Sequence, residues 1–520
     1  MGVRSAIREL FRRESAPVET GTPRRRMFEG ARVNRLTSDW VTTGTSADAE
    51  IRASLAALRN RARQLVRDSD YARQALRAIS QNVVGTGIGF QSQVKRQRGN
   101  RLDVAINDSI EGAWREWSRG KYCHCAGKLS FAEIQSLAIR SVAESGEVLI
   151  RMVKQSFGGS AVPLGLEVIE ADLLDDTYNG IAPGSGNNVR MGVEIDRWQR
   201  PVAYWFLDKH PGDYQYPQAT VTNAQNRTRV PADEIIHLFL MDRPMQTRGV
   251  SWFASAIKRL HHLAGYEEAE IVRARASSAL MGFITSPEGE LVGDDVYDGE
   301  RVSTFEPGVW KYLQPGESVS VPSLDAPDGQ FEPFLRSMLR AVSAGMGVSY
   351  ENLSHDFSQT NYSSSRLSLL EEREHWRTLQ RWLIENLNQR VFEQWLDLAV
   401  LSGVLNLPIY EVDPERYRKV RWMPRGWGWV DPQKEVAAYK EAIRCGFKTL
   451  GQVVGEQGGD LDELLAARKS ELEKLEELGI AVDTDANVMQ ASGTIQPIVA
   501  PDALDMPSPE SNSDTEDENG

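Results

Sequence analysis

From Arg366 to Ser402 the chain contains neither Gly nor Pro, the two residues that most readily end a helix. Inside this run Leu379, Leu383, Leu387, Val391 and Trp395 recur at every fourth position, and Trp376, Trp382, Phe392 and Leu396 widen the stripe. That pattern predicts one long amphipathic helix. At 1.5 Å per residue it would run roughly 55 Å, so it is expected to brace more than its own fold unit. The preceding segment, 348–365, is rich in hydroxyl and amide side chains, too polar to bury itself, and is expected to be a loop.

A chain of 520 residues can bury more than one core, and two or three structural regions are expected. No uninterrupted apolar run approaches eighteen residues, so no membrane span is predicted. Arg4, Arg8, Arg12 and Arg13 interrupt every apolar stretch near the start that might act as the core of an export signal. Of the three cysteines, two lie in Cys123-His-Cys125. This triplet gives no disulfide framework and too few ligands for a structural zinc site, and is read as a turn before a helix at Ser130. The net charge of −13 argues against a protein that seeks nucleic acid by bulk electrostatics, because phosphate binding draws on released counterions at basic surfaces. A conduit is compatible with it: a wall that does not hold phosphates lets a duplex move.

Residues 1–45 read as a flexible arm with a basic cluster at Arg24-Arg-Arg26. Helical periodicity follows over Ala47–Gln81, with Arg59, Arg61, Arg63 and Arg67 expected on a solvated face. Gly85-Thr-Gly-Ile-Gly89 lacks the spacing of a dinucleotide loop and the Lys-Ser/Thr of a phosphate loop, and is read as a helix-to-strand turn. Helices are predicted over Leu102–Ser118 and Ser130–Ser145, the latter opened by a Ser130/Glu133 capping box. Alternating patterns then predict strands at Val148–Val153, Leu164–Ile169, Val189–Ile195 and Val202–Leu207. The acids Glu170, Asp172, Asp175 and Asp176 are the sequence's best candidate for metal-dependent chemistry. No histidine lies near them in sequence, and they are read as strand-end acids.

A further helix is expected from Val250 to Leu280, made basic by Lys258, Arg259, His261, His262, Arg273 and Arg275. Adjacent histidines on a helix point about 100° apart, so His261 and His262 are not read as a metal pair. Strand-like runs at Val309–Leu313 and Ser318–Val321 precede a short helix over Phe334–Met346. Beyond the long helix, Trp422, Trp427 and Trp429 are read as packing a turn onto neighbouring helices. Helices follow at Pro432–Arg444, Thr449–Glu456 and Asp460–Leu478, and past Asp483 the chain is Pro-, Ser- and acid-rich and expected to be disordered.

Gly347-Val-Ser-Tyr-Glu-Asn-Leu-Ser, then Tyr362-Ser-Ser-Ser-Arg and the Trp-rich helix, resembles the lambda-type portal proteins of tailed bacteriophages. Ser69-Asp-Tyr-Ala-Arg-Gln-Ala-Leu, Asn82-Val-Val-Gly-Thr-Gly-Ile, Arg248-Gly-Val-Ser-Trp-Phe-Ala-Ser-Ala-Ile and Arg421-Trp-Met-Pro-Arg-Gly-Trp-Gly-Trp-Val-Asp-Pro-Gln-Lys-Glu435 agree in order, so the likeness spans Phe28–Glu477. The resemblance implies an α+β portal fold. Its parts would be a mixed wing at 46–249, stem helices at 250–280 and 331–347 flanking a clip at 281–330, and a tunnel loop at 348–365. The long helix with its return to the wing would take 366–430, a crown-like helical region 431–482 and an acidic tail 483–520.

The resemblance further implies a homo-oligomeric ring of twelve at a capsid vertex of the virion, assembled in the host cytoplasm, through which double-stranded DNA is packaged and ejected without sequence specificity. Implied partners are the terminase large subunit, head-tail adaptor proteins, and the major capsid and scaffolding proteins. No catalytic residue, metal or cofactor is expected. The tunnel loop would present Asn352, Ser354, His355, Ser358, Gln359, Thr360, Asn361 and Tyr362 to DNA, with possible stem contacts from Lys258, Arg259, Arg273 and Arg275. The rival reading is a metal-dependent nuclease using Glu170–Asp176. A head-tail adaptor ring is disfavoured by chain length.

Overall fold

The computed structural model describes residues 41–97, 102–213, 227–278, 331–358, 362–427 and 432–478, apart from Thr42 and Gly458, with Arg35 and short strands at 283–285, 296–297, 300–301 and 318–320. The N-terminal arm before residue 41 and the acidic tail fall outside the described residues, as do the predicted strand Val309–Leu313 and Trp429.

Helix α1 spans Ala47–Asp68 and α2 Asp70–Val83. Ser69 separates them: its extended backbone ends the first helix, and its hydroxyl accepts from Ala72 N to start the second. Gly85 and Gly87, both at positive φ, then turn the chain into β1, Gly89–Ser92, as predicted. Helix α3 is Val104–Trp117 and α4 the short Gly120–Cys123. The Cys123 thiol donates toward the carbonyls of Ser118 and Leu129, so the Cys-His-Cys triplet is a turn. Helix α5, Phe131–Ser145, opens on the expected capping box.

Strands β2 (Glu147–Val153) and β3 (Gly165–Ile169) join β9 (Ile235–Phe239) in an antiparallel sheet of order β3-β2-β9. Between them, β4 (Gly180–Ile181), β5 (Asn188–Arg190), β6 (Val193–Ile195), β7 (Pro201–Leu207) and β8 (Arg227–Pro231) form a five-stranded antiparallel meander. Helix α6 runs Ile257–Ser278. Short strands follow: β10 (Phe283–Thr285), β11 (Val296–Tyr297), β12 (Glu300–Arg301) and β13 (Ser318–Ser320), pairing β10 with β13 and β11 with β12. Helix α7 is Phe331–Met346, and Tyr266 of α6 packs on its Phe331 and Phe334.

The segment expected as a loop contains a helix, α8 (Tyr350–Ser354), and the long helix starts at Tyr362, four residues before the sequence expectation. Helix α9 (Tyr362–Leu383) passes through a π-turn, Ile384–Asn388, into α10 (Gln389–Leu401). The π-turn suits the sequence. A repeat of four drifts about 40° per step around an α-helix, and one wider turn takes back roughly half of the drift between Leu379 and Trp395. Leu379, Leu383, Leu387, Val391 and Trp395 are accordingly all buried. They are buried within this chain, which corrects the expectation that the whole helix braces something larger. Its large apolar side chains are exposed at its two ends, Leu367 and Leu370 in the first turns and Leu401 at the last residue.

The core is centred on Trp114, whose ring lies 5.0–6.1 Å from those of Phe90, Trp117, Phe131, Phe392, Trp395 and Trp422. Trp422 arrives on β14 (Val420–Met423), which pairs with β1 and so joins segments more than 300 residues apart. Trp427 donates from Nε1 to Asn82, so these tryptophans pack rather than stack on bases. Helices α11 (Pro432–Arg444), α12 (Leu450–Glu456) and α13 (Leu461–Glu477) close the described chain.

Candidate nucleic-acid interface

Ser349 begins α8 by accepting from Asn352 N (3.4 Å), and His355, at φ 55°, ends it in the left-handed region. Buried Glu372 of α9 holds this turn in place: its carboxylate accepts from Ser349 N at 3.0 Å and from Asn352 Nδ2 at 2.7 Å. Gln74 of α2 donates to the Asn352 carbonyl at 3.0 Å. Ser354 is occupied too, donating to the Tyr350 carbonyl and accepting from Asp356 N. Asp356 is the anchor at the far end, receiving Ser358 N and Oγ, Tyr350 OH and Arg336. The Ser358 bonds lead the effects that lower its carboxyl to about 2, so it is ionised at neutral pH. His355 and Ser358 are exposed. Gln359, Thr360 and Asn361 lie outside the described residues, and Tyr362 is described only in its backbone, as the first residue of α9.

Lys258, Arg259 and Arg275 are exposed on α6, whereas Arg273 pairs with Glu270. The first two and the last two sit about 22 Å apart along the axis, with Glu267, Glu268 and Glu270 between them, so they form no single basic patch. Past Leu263 the helix leaves Ile271 and Val272 more than half exposed.

Behind this region lies a hub that sequence reasoning missed. Glu147, fully buried at the start of β2, accepts from Arg248 Nε (2.8 Å) and Nη2 (2.6 Å), Arg59 Nη2 (2.9 Å) and Gly249 N (2.9 Å), and meets His237 Nε2 at 3.0 Å. Burial pushes its carboxyl up, but Arg248 and His237 outweigh it and hold the group well below the ordinary range. Arg248 also donates to the carbonyls of Met191 and Ala171, joining both sheets to the entry of α6. Arg59 is therefore buried, and Arg63 reaches Asp172 at 2.5 Å, contrary to the solvated face expected for them. A signal was available: Arg248-Gly249 belongs to a segment that carried the family resemblance, and Glu147 follows the α5-terminating Gly146.

Of the candidate acids only Glu170 and Asp172 come together. Asp172 is paired with Arg59 and Arg63, and Asp175 with Arg227 and the Thr177 hydroxyl. Burial raises the Asp172 carboxyl, yet Arg63 and Arg59 bring it below its ordinary value. One expectation is corrected: a histidine does lie nearby, His210, whose Nε2 is 3.4 Å from Glu170. Glu170, Asp172 and His210 can bring one ligand atom each within 4.8 Å of one another, but Asp172 is already charge-compensated. No helix among the described residues is long and apolar enough to cross a membrane.

The described residues form an α+β body whose polar turn is clamped at the head of a Trp-rich helix, with the Glu147 hub buried at the start of strand β2. The profile described as "Phage portal protein, lambda family" matches residues 33–380, and the chain belongs to that family. The chain is 32% identical over 490 residues to the "Probable portal protein" of Halomonas phage phiHAP-1, covering 92% of each. It is 24% identical to the "Portal protein" of Escherichia phage N15, covering 83% of this chain and 87% of that one. Against "Portal protein B" of Escherichia phage lambda it is 22% identical, covering 83% and 86% respectively. A solved neck of a native gene transfer agent particle aligns with a TM-score of 0.42 and 13% identity, over 79% of this chain and 93% of that one.

Proposed function

We propose that copies of this chain, twelve in number, close into the ring at a unique capsid vertex through which double-stranded DNA enters during packaging and leaves on ejection. The observation that carries this reading is the match to a phage portal protein over nine-tenths of both chains. The bare apolar side chains of α6 (Ile271, Val272) and of the first turns of α9 (Leu367, Leu370) support it, since an adjacent copy would cover what a single chain leaves in water. In this reading residues 46–249 are the wing, α6 and α7 the stem, 281–330 the clip and 431–482 the crown. The clip receives the terminase large subunit, whose ATP hydrolysis drives transport, and later the head-tail adaptors. Major capsid and scaffolding proteins surround the wing, and assembly takes place in the host cytoplasm.

The tunnel loop acts as a guide. With Asn352 and Ser354 committed to the fold, the DNA-facing set narrows to His355, Ser358, Gln359, Thr360, Asn361 and Tyr362. Hydroxyls and amides bond phosphates weakly and without the counterion release that would arrest a duplex. Negative-stain imaging of the purified full chain tests the assignment. Rings with a central hole are expected; compact monomers at high concentration overturn it.

A further inference from the structure

Eleven of the thirteen net negative charges of this chain lie beyond Lys474, where there are eleven acids and no Lys or Arg. The remainder is nearly neutral, yet its described residues hold a strongly cationic concavity. At the end of the β1–β14 ribbon, Lys95, Arg96, Arg416 and Lys419 surround a cavity of about 260 Å³ with Ile409 and a single acid, Asp413. The backbone builds the site: Gln93 N donates to the Lys419 carbonyl at 2.9 Å, and Arg416 Nε donates to the Lys95 carbonyl at 2.9 Å. Arg96 and Lys419 are exposed, and among the described residues neither they nor Arg416 meets a carboxylate within ion-pair distance.

We propose that the acidic C-terminal segment, 505–520, of this chain or of an adjacent copy docks into this pocket. Charge complementarity is the first argument, since Asp505, Glu510, Asp514, Glu516, Asp517 and Glu518 crowd the segment. Reach is the second. Helix α13 starts beside the ribbon, where its cap Asp460 accepts from Gln91 Nε2 at 2.8 Å, only four residues before Lys95. That helix is about 25 Å long, and residues 479–520 can extend up to roughly 140 Å from its end. Size is the third: the cavity admits carboxylate side chains and is far too small for a duplex. The consequence is a chain in which this basic concavity is screened from nucleic acid by its own terminus. The proposal is independent of the ring.

A zero-length carbodiimide crosslinker applied to the full-length protein, read by mass spectrometry, tests it. Links from Lys95 and Lys419 to the acids of 510–518 are expected, with the exposed Lys154 as a control that does not link. Their yield should fall roughly tenfold at about 1 M salt, where screening shortens to ~3 Å, and by a similar factor in a D514N/E516Q/D517N/E518Q variant, whose body is untouched. Links spread evenly over exposed lysines, or none to the pocket, overturn the proposal. Lysine acylation adds a second readout: Lys95 and Lys419 should be protected in the wild type and become reactive in the four-acid variant. If short duplex DNA protects them equally with and without the acids, the pocket is a nucleic-acid site and the proposal is wrong.

Discussion

Replacing Glu147 by Gln removes one charge and almost no volume, so its effect isolates the electrostatics of the hub. Two guanidinium groups depend on that carboxylate: Arg248, with no exposed side-chain surface, and Arg59, 2% exposed. Only Arg59 retains another acid, Asp172 at 3.4 Å. Breaking a buried pair from one side costs about 3–5 kcal/mol, because the surviving charge stays desolvated. With Arg59 half-compensated, about 4 kcal/mol is expected for Glu147→Gln, a fall in Tm of roughly 5 °C for a body of this size. Thermal and urea unfolding followed by Trp fluorescence, at concentrations below assembly, measures it. A variant carrying Met at 59, 147 and 248 should recover most of the loss, since a buried ion network exchanged for apolar groups is often neutral.

The pH profile follows from the same contacts. Burial lowers the pKa of His237 below 6.5, only partly opposed by Glu147, so the unfolded chain takes up that proton first and stability declines as pH drops below about 6.5. The depressed Glu147 carboxyl contributes in full above its unfolded value near 4.5 and is lost only as pH falls through its lower folded value. Glu147→Gln removes the group that raises His237, and should steepen the decline between pH 6.5 and 5. A Gln variant melting within a degree of the wild type, with an unchanged pH profile, would refute the reasoning.

Other substitutions probe separate parts of the fold. Trp114→Ala empties the centre of the aromatic cluster and should cost about 3–5 kcal/mol by urea unfolding. Gly249→Ala would place a Cβ 2.1 Å from the Gly146 carbonyl oxygen and 2.6 Å from Phe239 Cβ, and should sharply lower soluble yield and Tm. Gly112→Ala in α3, with open space around it, should stabilise by up to about 1 kcal/mol in the same assays. Glu372→Gln loosens the clamp on α8, so amide exchange over 349–354 should accelerate roughly tenfold, with the rest of α9 unchanged. If 355–362 faces DNA as proposed, Ser358→Lys adds a phosphate contact there and should slow DNA packaging most at low salt, measured as packaged length against time.

Elements with a strong period or a good cap could be read from the chain directly. The capping box of α5, the glycine turn before β1 and the limits of α11 are local chemistry, and local residues decide them. Strand β8 was missed because Arg227-Thr-Arg-Val-Pro231 has almost no alternation. Its place is fixed from outside, by Arg229 on the buried Glu194 (2.9 Å) and by Arg227 on Asp175. The arginines of α1 were misread for the same reason: nothing within a helix tells which Arg will meet a buried acid 88 residues later. For the loop proposed to face DNA, composition marked the segment, but the clamp by Glu372 joins residues twenty apart and leaves no periodic trace.

The π-turn at Ile384–Asn388 sets how motion can pass along the rod. Upstream of it the helix bears the loop proposed as a guide, and bare leucines; downstream it is seated in the Trp114 cluster. A wider turn is a helix with one residue in reserve, so the loop-bearing end can roll about its own axis by taking up or giving back that residue while the seated end keeps its place. If the loop guides DNA as proposed, a duplex pushing sideways on it would turn a spindle in its bearing and not pry the bearing open.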